Sequence, residues 1–144
     1  MKGTVKAICI SEKKGTRKHT VPSAELIPDH GIKGDAHAGR WHRQVSLLAS
    51  ESIDTMREAM PYLNPGDFAE NILTEGIELK RLPVGTLLTV GETVLAITQI
   101  GKECHADCEI KKQTGTYVMP TDGVFTKVIV GGTIHVNDPI TMLR

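Results

Sequence analysis

The sequence predicts a mostly-β fold, a barrel or a sandwich. Fourteen glycines and seven prolines are spread through 144 residues. Between them lie short runs rich in Val, Ile, Thr and Leu, a spacing that suits strands joined by tight turns better than alternating β-α units. Two turns carry a glycine signal between apolar runs, at Gly91-Glu92 and Gly131-Gly132.

Thr4 to Ile10 reads as the first strand, with Val5, Ala7 and Cys9 on one side and Ile8 and Ile10 on the other. Gln44 to Ala49 reads as another, feeding a helix over Glu51 to Met60 with Ser50 as its N-cap. Ile53, Met56 and Met60 give that helix one apolar stripe for core packing, and Pro61 stops it. Thr86 to Val90 and Thr93 to Ile100 form a hairpin about Gly91-Glu92. Val124 to Val130 and Thr133 to Val136 are expected to form a second about Gly131-Gly132. Asn137-Asp138-Pro139 turns the chain into a last strand, Ile140 to Leu143. A short helix is expected over His105 to Thr114, with Cys104 near its N-terminus.

Residues 1–144 suit one domain. A chain of this length buries roughly 70% of its unfolded surface and needs no disulfide staples. Lysine plus arginine number 17, as do aspartate plus glutamate, so the net charge is zero. That balance lacks the basic footprint of phosphate-backbone binding and argues against nucleic acid as a partner. No segment approaches the ~20 apolar residues that span a bilayer. The first apolar run is too short for a signal peptide. Three cysteines do not make a secreted disulfide framework, so free thiols in a reducing cytoplasm are expected.

Three polar clusters carry the candidate chemistry. In Gly101-Lys102-Glu103-Cys104-His105-Ala106-Asp107-Cys108, two cysteines stand four residues apart beside Lys102 and His105. A thiol reacts as thiolate, and neighbouring cations or a helix N-terminus lower its pKa. Cys104 is therefore the candidate reactive thiol. The second cluster runs from Gly31 to Arg43 and holds Gly31, Gly34, Gly39, Lys33, His37, Arg40, Trp41, His42 and Arg43. Its glycines admit a ligand close to the backbone, and its arginines suit a phosphate or carboxylate. His37 and His42 are equipped to bind an anion, transfer protons or ligate metal, and Trp41 to stack on an aromatic ligand or pack on the barrel. The plain alternative is a solvated loop with turn glycines. The third cluster, Asn64 to Ile72, brings Asp67, Glu70 and Asn71 to a point where a turn becomes a strand. There they either tie loops together or face a ligand.

Cys104, His105 and Cys108, with His37 or His42, also make a conceivable zinc set. Structural zinc sites show two tight ligand pairs, and only one cysteine pair exists here. Cys9, on a strand, reads as a small buried apolar residue.

In combination and order, these stretches resemble a MOSC domain, the C-terminal domain of molybdenum cofactor sulfurases that also occurs as small stand-alone bacterial proteins. The matching residues are Gly34-Asp35-Ala36-His37-Ala38-Gly39, Gln44 to Leu48, Gly66 to Ile72, Gly101-Lys102-Glu103-Cys104, and Gly123 to Val128 with Gly131-Gly132. The resemblance implies a closed or partly open β-barrel with a few short helices, and one functional cysteine, Cys104. In the family that cysteine carries a persulfide or contacts the molybdenum of the cofactor. It further implies the molybdenum cofactor (molybdopterin) or a precursor as ligand. His37, Arg40, Arg43, Lys102, His105 and Asn71 become its candidate binding residues. A cysteine desulfurase, a molybdoenzyme or a molybdopterin-biosynthesis enzyme becomes a candidate partner. No pyridoxal phosphate is expected, because no desulfurase portion fits in 144 residues. The expected function is a sulfur-carrier or sulfur-transfer domain. The alternatives are a non-catalytic cofactor-binding or docking module and a small structural zinc protein.

Overall fold

A computed structural model describes residues 2–14, 16–58, 60–101 and 122–143. Its elements run β1 (Lys2–Ile10), β2 (His19–Val21), β3 (Ser23–Ile27), β4 (Gly31–Ile32), β5 (Val45–Ala49), α1 (Ser50–Arg57), β6 (Ile72–Glu75), a 3-10 turn (Leu79–Arg81), β7 (Leu87–Val90), β8 (Thr93–Ile100), β9 (Val124–Val130), β10 (Gly132–His135) and β11 (Pro139–Met142). Strands pair in the order β11-β7-β8-β9-β5-β6-β1, and β1 pairs back onto β11. The result is a closed seven-stranded barrel, so the barrel reading holds and the sandwich does not. β2 extends the sheet beyond β1, while β10, β3 and β4 form a separate small sheet. The parallel pair β5–β6 is joined through α1.

The interior is apolar. Val5, Ile8, Leu47, Ile72, Leu88, Leu95 and Ile140 are buried together inside the barrel. Each such side chain contributes roughly 1.5–3 kcal/mol by leaving water. A second cluster lies outside the wall, where Ala7, Cys9, Leu48, Leu73 and Phe125 meet Ile53 of α1 and Phe68. Met56 of α1 and Met60, beyond the end of the helix, pack against it, so these apolar residues are core packing as expected.

Four local expectations are corrected. Val5 does not share a face with Ala7 and Cys9. In the β1–β6 pairing Val5 opposes Thr74 and Ala7 opposes Leu73, which leaves Lys6 as an extra residue. This bulge inverts the alternation, sending Val5 and Ile8 inward and Ala7 and Cys9 outward. Gly131-Gly132 does not make a hairpin: β9 pairs with β8 and β5, whereas β10 crosses to β3. Gly131 is a sheet-to-sheet corner, where a Cβ would stand 2.6 Å from the Leu26 carbonyl oxygen. The helix begins at Ser50 and ends at Arg57. Ala49 is its N-cap, and no side chain caps it. The last strand is Pro139–Met142. The hairpin about Gly91-Glu92 forms as expected, with Val90 opposite Thr93. The helix expected over 105–114 lies outside the described residues.

Candidate functional site

One lateral row crosses the outer face of the barrel. Gln99 of β8 lies opposite Phe125 of β9, and Phe125 opposite Ser46 of β5. Asn71, just before β6, joins Ser46 to β1. Its Oδ1 accepts from the Ser46 amide at 2.9 Å and the Ser46 hydroxyl at 3.2 Å, and its Nδ2 donates to the Cys9 carbonyl at 3.1 Å. Asn71 is fully buried. Its side-chain amide thus ties three elements together.

Above this row sits a buried charged knot. Lys18 and Asp35 have fully buried side chains 2.7 Å apart. The Lys18 ammonium also reaches Ser11 Oγ at 3.1 Å and His37 Nδ1 at 2.9 Å. Asp35 accepts from the Ser11 amide and from the His37 amide, each at 3.1 Å. Burial works against the Asp35 carboxylate, but Lys18 outweighs it, with help from Ser11 and Asn71, and holds its pKa below the usual value. Burial pulls the Lys18 pKa down while Asp35 resists.

The knot needs a close backbone approach. Gly66 has φ +91°, and a Cβ there would lie 2.1 Å from the Lys18 carbonyl oxygen. Only glycine fits, and its carbonyl accepts from the Lys18 amide at 2.8 Å. Ala69 follows in the left-handed region at φ 64°, at a cost of roughly 1–2 kcal/mol. The fully buried Glu70 carboxylate offsets it by accepting from the Gly66 amide at 2.9 Å and the Phe68 amide at 3.2 Å. Burial nevertheless pushes Glu70 up to about 7. Asp67 caps its own turn, accepting from the Asn64 amide at 2.9 Å. Cys9 is fully buried, and burial drives its thiol well above the ordinary cysteine value, as suits a small apolar core residue.

Along the rim of the row the loop after β4 lays down cations and rings. Trp41 Nε1 donates to the His37 carbonyl at 2.8 Å. Lys14 Nζ stands 4.7 Å from the Trp41 ring centre, and the Arg43 guanidinium lies 5.9 Å from it and 5.2 Å from that of Phe125. Trp41 is therefore a platform for cations beside the knot, half-buried, rather than barrel packing. His42 Nε2 and Arg43 Nε both meet Gln99 Oε1, at 2.7 and 3.1 Å. Gln99 Nε2 in turn donates to the Gly101 carbonyl at 2.7 Å. The Gly101 amide donates to the Gly123 carbonyl at 2.7 Å, so the end of β8 and the residue just before β9 are held together. A cavity of about 460 Å³ is lined by Ala49, Ser52, Ile77, Leu79, Lys80 and Asp122 among others. Its cations are paired, Lys80 with Asp122 and Arg81 with Glu78.

The structure brings His37 and Asn71 to the Lys18–Asp35 knot, and Arg43 to the adjoining rim. It does not bring Arg40 there: its side chain is 90% exposed and faces Asp29 at 3.9 Å. Cys104, Lys102, His105 and Cys108 lie outside the described residues. Among the described residues no group of three or more His, Cys, Asp or Glu side chains is placed to hold a metal ion. No helix among them is long and apolar enough to cross a membrane.

Lys18 and Gln99 were not legible as site residues. Lys18 sits in a polar stretch with no local sign of burial. Gln99 did leave a signal: Leu95, Ile97 and Gln99 alternate, and a glutamine in an inward register implies a bulge. Ile97 opposes Thr126 and Gln99 opposes Phe125, which leaves Thr98 as the extra residue and turns Gln99 outward.

The MOSC domain family matches residues 34–141, most of the chain. The chain belongs to the MOSC domain family. That family is linked to molybdenum cofactor sulfurase-related function. The fold is similar to that of the YuaD protein from Bacillus subtilis, with TM-score 0.80, 16% identity, and 97% of this chain and 94% of that one covered. It is also similar to YiiM from Geobacillus stearothermophilus (TM-score 0.76, 16% identity, 99% and 75% covered) and YiiM from Escherichia coli (0.72, 18%, 100% and 70%). No curated protein matches the sequence. The stretches Gly34 to Gly39 and Gly66 to Ile72, distant in sequence, meet in the structure through Asp35, Lys18 and Asn71.

Proposed function

We propose that this MOSC domain binds the molybdenum cofactor or a precursor and carries or transfers sulfur through Cys104, as a persulfide or as a thiolate contact to the metal. The supporting observation is the convergence of His42 and Arg43 on Gln99, whose amide holds Gly101. Cys104 follows Gly101 by three residues, a reach of at most about 11 Å. A cationic, donor-rich rim thus stands at the root of the segment that bears the thiol.

The donor set suits an oxygen-rich, anionic ring system. Arg43 and Lys14 supply charge, the Trp41 indole supplies a flat face, and His37 stands beside them. When bound, the cofactor would supply an electrophilic molybdenum centre for which a soft thiolate is a good ligand. Arg43 holds the anion and Asn71 positions the strands beneath it. Arg40, exposed, adds long-range attraction only. Lys102 and His105 favour the Cys104 thiolate. In the carrier step that thiolate attacks the outer sulfur of a cysteine desulfurase persulfide. The donor's S–S bond breaks, one forms on Cys104, and the donor cysteine departs as thiolate. A molybdoenzyme or molybdopterin-biosynthesis enzyme is the acceptor, in a reducing cytoplasm.

The test is incubation with a cysteine desulfurase and sulfur-labelled cysteine, followed by native mass spectrometry. Wild type and Cys9→Ala gain labelled sulfur, and Cys104→Ala does not. If wild type takes up none, while Cys104→Ser still retains pterin, the carrier role fails and the domain is a non-catalytic binding module.

A further inference from the structure

We infer that Gln99 is a positioning residue whose neutral amide anchors Arg43 without cancelling its charge, leaving both Nη groups to receive an oxyanion end-on. Arg17, Arg40, Arg57 and Arg81 each face a carboxylate, of Asp67, Asp29, Asp54 and Glu78 respectively. Arg43 is the exception. It is half-buried and, among the described residues, pairs with no carboxylate. Gln99 Oε1 holds it at 3.1 Å, and the ring centres of Trp41 and Phe125 lie 5.9 and 5.2 Å from its guanidinium. Ring quadrupoles attract a cation but carry no net charge. The positive charge of Arg43 therefore has no counter-ion among the described residues.

The orientation of the Gln99 amide follows from its partners. A carbonyl only accepts and a guanidinium only donates. Gln99 Nε2 therefore faces the Gly101 carbonyl at 2.7 Å, and Oε1 faces Arg43 Nε and His42 Nε2. A glutamate in this place would keep the acceptor for Arg43. It would also turn an oxygen toward the Gly101 carbonyl and neutralise the guanidinium. Only a neutral amide serves both ends.

A guanidinium offers paired donors along its side, Nε with one Nη, or at its end, the two Nη together. Arg43 Nε is spent on Gln99, so only the end pair remains. Among the described residues neither Nη has a partner. The complementary group carries two oxygens on one centre, as a phosphate or a metal-oxo group does. A lysine would replace the charge but not the fork. Which anion binds rests on the function proposed above; the uncancelled charge and the open fork do not.

The test is ¹⁵N–¹H NMR of the arginine side chains of the full chain, titrated separately with inorganic phosphate and with molybdate. Cys104→Ala is titrated beside wild type, so that no contact from that thiolate enters. In both, the Arg43 Nη signals are expected to shift and sharpen, with little change at Nε. A response to phosphate alone assigns a phosphate group, to molybdate alone a metal-oxo group, and to both a shared oxyanion site. No response at Arg43 to either, or a response at Nε with none at Nη, overturns the end-on site. Two variants isolate the role of charge. Gln99→Glu keeps the acceptor and adds a negative charge, whereas Gln99→Met removes the acceptor and adds none. Gln99→Glu is expected to weaken anion binding by about tenfold or more, and Gln99→Met to weaken it less. A purely structural role predicts the reverse, because a carboxylate still holds Arg43 and a thioether does not. Equal losses, or a greater loss in Gln99→Met, overturn the role of Gln99. Should Gln99→Glu fail to fold, Arg43→Lys decides: weaker binding is expected, and unchanged binding overturns the fork. Failure of sulfur loading on Cys104 leaves all these outcomes readable.

Discussion

The barrel interior and its outer face bury side chains on opposite plans. Inside, Ile8, Leu47, Ile72 and Leu95 exclude water without directional bonds. Outside, on those strands and in the loops beside them, Ser46, Asn71, Asp35, Lys18 and Glu70 are buried as well, but each is held by named hydrogen bonds. Apolar packing tolerates a change of shape in proportion to volume. A buried polar network tolerates almost none, because each lost partner strands another group. Equal burial therefore means different things in the two places, and the precise geometry lies on the outer face.

The sharpest way to break the contrast is Asp35→Ala. It leaves the Lys18 ammonium buried and unpaired, and should cost about 3–5 kcal/mol in urea unfolding. Adding Lys18→Met should restore part of that, since no buried charge remains. A loss under about 1 kcal/mol for Asp35→Ala would mean the knot is not under the constraint that its geometry implies. Next in size is Leu47→Ala in the interior, with an expected loss of about 3 kcal/mol. That loss should be the same at acid and neutral pH, because no charge lies beside it.

The pH dependence separates the regions more finely. Glu70 has its folded pKa raised from 4.5 to about 7. Below pH 4.5 folded and unfolded chains both hold this proton. Between 4.5 and about 7 only the folded chain does, so this group's stabilisation is lost as pH rises through that window. Asp35 acts in the opposite sense: its folded pKa is lowered, so its contribution is lost as pH falls below 3.8. Denaturation of Glu70→Gln across pH should lack the upper slope and keep the acid limb. A variant that kept both slopes would show that another group titrates in that window.

The smallest effect is a gain. Thr74 Oγ1 is buried and, among the described residues, has no hydrogen-bond partner. Thr74→Val keeps the shape and removes the stranded hydroxyl, so thermal unfolding should show stabilisation of about 1 kcal/mol.

The class of fold was legible because turn glycines and short Val/Ile/Thr runs act locally. The Gly91-Glu92 hairpin forms where its residues put it. Gly131-Gly132 failed as a hairpin because a glycine pair reports only that the backbone bends or is closely approached, and here the close neighbours are Leu26 and Pro28. The face of β1 was misread because a bulge at Lys6 is a property of the pairing with β6, which no alternation in one strand contains. His37 and Arg43 were legible as candidates because clustered Gly, His and Arg are visible in one stretch. Lys18 was missed because its burial is made by residues far along the chain.

By itself the amino-acid sequence determined a β-rich chain, its family, and the stretches that carry polar chemistry, since these depend on composition and short-range order. Only the tertiary structure decided barrel closure between β1 and β11, the bulges at Lys6 and Thr98, and the meeting of Lys18 with Asp35 and His37. Strand pairing brings together residues that are remote in sequence, and the removal of water around them then decides which polar groups must find each other.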